Sequence, residues 1–119
     1  GAKSGSRPRF IILGNCNIEE LNIDMGIGEA KIDLSGNWPD EAKIAIDGGI
    51  GETQLILPNG MGIELLADKG IGELSISGLI KYDDIWQSPN FETAEKKMYI
   101  EVNMGIGEID IVYQTQGEE

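Results

Sequence analysis

Seven carboxylates stand at recurring places in this chain. Glu29, Glu52, Glu73 and Glu108 each close a Gly-Ile-Gly-Glu, while Asp24, Asp47 and Asp68 each stand two residues before its first glycine, a place held by Asn103 in the fourth copy. Clustered carboxylate and backbone oxygens are what calcium selects, so these seven are weak candidates for a cation ladder. The run Gly48-Gly49-Ile50-Gly51-Glu52 also has a faint likeness to the glycine-aspartate nonapeptides of calcium-binding β-rolls. Two departures count against calcium: the copies recur about every 22 residues rather than every nine, and isoleucine fills a turn position. A glycosidase-like pair would need two carboxylates facing each other across a concave site. The simplest reading is an acidic, solvated face.

Composition removes most other chemistry. With no histidine there is no Ser-His-Asp triad, no Cys-His pair and none of the usual zinc sites. The single cysteine, Cys16, forms no intrachain disulfide and reads as a small apolar residue. The glycines link strands and no Gly-Lys-Ser or Gly-Lys-Thr follows them, so they are not a phosphate loop. We therefore expect no enzyme, no catalytic residue, no cofactor and no dedicated metal site. The formal charge is -12, and Lys3, Arg7 and Arg9 supply three of the nine basic residues. Such a surface repels phosphate backbones, which argues against nucleic acid; it more readily meets cations, a basic protein patch, or nothing beyond water. The longest aliphatic or aromatic run, Phe10 to Leu13, is far short of the ~20 residues a membrane helix needs.

The elements that position the carboxylates follow from the flanks. Five residues before each first glycine stand Leu21, Ile44, Leu65 and Ile100; three before stand Ile23, Ile46, Ala67 and Val102. After each glutamate, aliphatics return with period two, as in Ala30, Ile32 and Leu34, or Ile109 and Ile111. Each unit is thus strand, glycine corner, strand. The parity changes across the corner, so a bulge must reset which side chains face inward. A straight strand would otherwise bury a line of glutamates. Self-similarity at this period predicts an all-β fold: a repetitive β-solenoid, β-helix-like, of short stacked strands with glycine corners. The alternative is an antiparallel meander or sandwich with the glycines as hairpin turns.

Residues 1–9 read as a linker or a remnant left from expression, residues 10–113 as one domain, and residues 114–119 as a polar tail. The opening strand Phe10-Ile11-Ile12-Leu13 would seal one end. Signature glycines are 23, 21 and 35 residues apart, which places an insertion over residues 79–97 in the last unit. It reads as a long loop. Its aromatics Tyr82, Trp86 and Phe91 are the candidates for partner contact, and with Trp38 and Tyr99 they would alternatively cap the core. Exposed strand edges leave homodimerisation open.

Leu21 to Gly36, Leu57-Pro58-Asn59-Gly60-Met61-Gly62-Ile63 and Tyr99 to Val112, taken together, resemble the bacterial toastrack domain. This is the C-terminal domain of LiaF-type proteins of the cell-wall-active antibiotic response, related to adhesin-like domains of repetitive β-architecture. The resemblance covers about residues 18 to 113. It implies sensing or scaffolding in envelope-stress signalling through contact with a protein, such as a membrane signalling protein, and attachment to a bacterial membrane through a segment that this sequence does not contain, on a side the resemblance does not specify. Lys3, Arg7 and Arg9 would suit a position beside anionic lipid, or an ordinary linker. An adhesin-like surface module, stabilised by calcium, is the second reading.

Overall fold

The computed structural model describes residues 9–12, 20–24, 26–36, 38–58, 60–68 and 70–113. These form nine strands: β1 (Arg9–Ile12), β2 (Glu20–Asp24), β3 (Ile27–Asp33), β4 (Glu41–Ile56), β5 (Gly62–Asp68), β6 (Ile71–Ser77), β7 (Ile80–Tyr82), β8 (Ile85–Gln87) and β9 (Lys97–Val112). There is no helix among the described residues. In the first and third units the corner separates two strands, β2 from β3 and β5 from β6. In the second and fourth a single long strand, β4 or β9, runs through it.

Equivalent strands pair in parallel and in register. Leu21 lies beside Ile44, Ile44 beside Ile100, and Ile100 beside Leu65. Beyond the corner Ile32, Leu55, Ile111 and Ile76 form a corresponding row. Like stacks on like, as a β-solenoid requires, and the sheet curls around one core. The antiparallel meander is not needed.

The spatial order of units differs from the chain order. β4 pairs with β9, and β9 with β5 and β6, so the units stack first, second, fourth, third. The fourth copy, last in sequence, is wedged between the second and the third. Burial follows strand coverage: Ile44, Ile46, Ile100 and Val102 on the two central strands are buried, as are Ile32 on β3 and Leu65 on β5, whose far edges β1 and β8 cover, whereas Leu21 and Ile23 on β2, and Leu74 and Ile76 on β6, each strand with one partner among the described residues, are half-buried.

The parity change appears within β4. Ala42, Ile44 and Ile46 are buried before the corner, Thr53 and Leu55 after it, and Glu52 is left in solvent. The β4–β9 register shows the irregularity directly: Asp47 pairs with Asn103, Gly49 with Met104, then Ile50 with Ile106. Gly51 demonstrates why the corner is glycine. It has φ +133°, and a Cβ there would drive into the carbonyl oxygen of Gly28 on the neighbouring strand. The same clash recurs for Gly107 against Gly51 and for Gly72 against Gly107. Backbones stack there with no room for a side chain.

The segment over residues 79–97, expected as a loop, contains a hairpin. β7 and β8 pair antiparallel around a turn at Asp83, whose φ is 53°, and β8 pairs antiparallel with β5. The open edge of β5 is thereby covered. The physical reason for the extra chain is the stacking order, since it carries the backbone from β6 at the edge back to the centre. Ser88 fastens it: its buried hydroxyl accepts from the Ile63 N–H at 2.9 Å and donates to Asn90 Oδ1 at 2.6 Å. The Tyr113 hydroxyl lies 3.1 Å from the Met61 carbonyl oxygen and 3.2 Å from Asn90 Oδ1. At the opposite end β1 pairs in parallel with β3, sealing the post-corner half of the first unit. Cys16, most of the basic leader and the C-terminal tail lie outside the described residues.

Candidate functional site

The corner sets three rows of side chains on the outer side of the stack. Glu29, Glu52, Glu108 and Glu73 are register partners in that order, and all four are exposed. Asp24, Asp47, Asn103 and Asp68 form the second exposed row, on the strands that precede the corner. Between them runs the third, Ile27, Ile50, Ile106 and Ile71, with exposures of 73%, 46%, 48% and 70%. At the usual spacing of about 4.8 Å between strands, each row is about 14 Å long.

The seven carboxylates singled out in the sequence are therefore brought together as two aligned rows. Among the described residues no group of three or more His, Cys, Asp or Glu converges on a point that would hold a metal ion. The carboxylates in both rows are exposed, so water and salt screen the repulsion between neighbours. In the sequence these isoleucines stand out only as residues at a turn position, where they count against calcium. The signal that would have found them is their parity: once the corner resets the phase, Ile27 shares the outward face with Glu29.

The insertion aromatics differ in exposure and in neighbours. Tyr82 is 51% exposed near the hairpin turn. Trp86 is half-buried, packs on the core and carries the Lys81 ammonium 5.8 Å from its ring centroid. Phe91 is half-buried, meets Tyr99 edge to face at 6.1 Å, and has Lys97 Nζ at 4.7 Å from its centroid. Trp38 is buried and donates its indole N–H to the Leu34 carbonyl at 2.7 Å. On the outer face before the corner a shallow depression of about 320 Å³ opens over Ala45, flanked by Lys43, Tyr99 and Leu66. No helix among the described residues is long and apolar enough to cross a membrane.

A parallel stack of glycine-cornered units that presents rows rather than a cleft defines a toastrack-type β domain. The family profile "Cell wall-active antibiotics response LiaF, C-terminal" matches residues 13–111, and the chain belongs to this family. Protein LiaF of Bacillus subtilis is 27% identical over 103 residues, covering 82% of this chain and 43% of its own length. A crystal structure of a candidate cell adhesion protein from Clostridium sporogenes superposes with a TM-score of 0.83 at 30% identity, covering 92% of this chain and 52% of that one. The chain thus spans about half, or less, of the length of these relatives.

Proposed function

We propose that this domain is a non-catalytic contact module that senses or scaffolds in a bacterial response to cell-wall-active antibiotics. The observation that carries the reading is the parallel stack holding exposed rows in register, in a chain of the LiaF C-terminal family. Surfaces of this kind suit recognition of another protein, for which a membrane signalling protein is the partner class the family suggests. On this reading the whole protein is held at a membrane. Deleting residues 20–113 from the full-length protein in its host should alter induction of a reporter for cell-wall-active antibiotics. Unaltered induction would contradict the proposal.

The clostridial structure favours a second reading, an adhesin-like surface module, to which calcium binding by the carboxylate rows is added as a proposal from the residues alone. That reading requires the thermal midpoint to rise with millimolar calcium and to return with chelator. A melt that neither treatment moves removes the calcium part. Protection of the domain from protease added to intact cells removes the surface part.

A further inference from the structure

We infer that the isoleucine row at the corners is a docking surface for a protein segment whose aliphatic side chains are flanked by lysine or arginine. The inference rests on the contact role proposed above and names its surface and the chemistry of its partner.

Four isoleucines in register, all outward and all at the same place in their units, form an apolar strip with nothing of this chain packed over it among the described residues. The inward side of the corner is taken by glycine backbones in contact, so these side chains fill no core space. Cross-strand packing among β-branched neighbours accounts for part of their presence, yet a threonine row would give that in water at less exposed apolar area. Charge selects the occupant. Asp24, Asp47 and Asp68 border the strip on one side, and Glu29, Glu52, Glu108 and Glu73 on the other. A second copy laid on the strip would bring acidic rows against acidic rows, and an anionic lipid surface or a nucleic acid would meet the same repulsion. Flanking cations on a protein segment would instead pair with both rows while its aliphatics cover the isoleucines.

The probe is a synthetic peptide alternating isoleucine and lysine, with an isoleucine–glutamate peptide of equal length as control, titrated against the labelled domain and followed by amide shifts in NMR. The lysine peptide should shift the amides of Ile27, Ile50, Ile106 and Ile71 and their acidic neighbours. Ile50→Ser/Ile106→Ser should weaken its binding about tenfold or more, as loss of two covered aliphatic side chains requires. Ile80→Ser, at an exposed isoleucine away from the corner, should leave binding unchanged. If the double variant does not fold, Glu52→Gln/Glu108→Gln serves in its place and should also weaken binding. Equal binding of both peptides, binding indifferent to these substitutions, or a wild-type dimer that Ile50→Ser/Ile106→Ser dissolves would each overturn the inference. In the host, a normal antibiotic response from Ile50→Ser/Ile106→Ser, where deletion of residues 20–113 abolishes it, would overturn docking at this strip and leave the contact role standing.

Discussion

At the scale of single residues, the second glycines of the second, third and fourth signatures, Gly51, Gly72 and Gly107, are among the most constrained of the described positions. Gly51 combines positive φ with a neighbouring carbonyl in the place its Cβ would take. Gly51→Ala should therefore cost about 3 kcal/mol or more in urea unfolding, since strain and overlap add. Gly26 has φ +76° but open space around it, so Gly26→Ala should cost only about 1 kcal/mol, the left-handed strain alone. Equal effects would contradict the close backbone stacking. Asp33 illustrates a smaller effect with a clear sign. Its carboxylate accepts from the Ser35 hydroxyl at 2.7 Å and the Ser35 N–H at 3.0 Å, and these bonds hold its pKa below the ordinary 3.8. A depressed folded pKa contributes stability that is complete above pH 3.8 and is lost as pH falls through the folded value. The stability difference between wild type and Asp33→Asn should thus be present at neutral pH and shrink below pH 3.8, modestly, because solvent screens the site.

At the scale of elements, the insertion and β9 decide whether the stack closes. Ser88→Ala would leave the Ile63 N–H without its partner in a buried place, at about 1–3 kcal/mol. Amide exchange at Ile63 should quicken in that variant; an unchanged rate would show that the hairpin is fastened elsewhere. β9 pairs with β4 on one side and β5 and β6 on the other, and Ile111 within it is wholly buried. Ile111→Ala should cost about 2–5 kcal/mol by thermal or urea unfolding. Much of this was legible beforehand, because period-two aliphatics around a fixed glycine signature determine strands, register and the phase reset, as Ile44, Ile46, Leu55 and Leu57 illustrate. Stacking order was not legible. The rows through Leu21, Ile44, Ile100 and Leu65 are chemically interchangeable, so any unit can neighbour any other, and only the 35-residue spacing hinted at a detour. The outward isoleucines escaped for another reason: the phase reset was applied to the aliphatics beyond the corner and not to the isoleucine within it.

At the scale of the whole molecule, the stack is ordered first, second, fourth, third, and that order sets which residues are neighbours along the row of Ile27, Ile50, Ile106 and Ile71 and along its acidic borders. It also makes β9, which follows the other eight described strands in sequence, a central one, so the third unit gains its parallel partner only when β9 enters, a non-local step that slows folding. The order is tested by short-span cross-linking of paired cysteines on the outer face, in a Cys16→Ser background. Gln54 and Asp110 are register partners on adjacent strands, as are Asp110 and Ser75. Gln54 and Ser75 lie two strands apart, about 10 Å. A bifunctional thiol reagent spanning about one strand interval should join the Gln54→Cys/Asp110→Cys pair in high yield and leave the Gln54→Cys/Ser75→Cys pair unlinked. Efficient linkage of the second pair with failure of the first would mean that the units stack in chain order, and the account of the fold, with the fourth unit wedged between the second and the third, would be wrong.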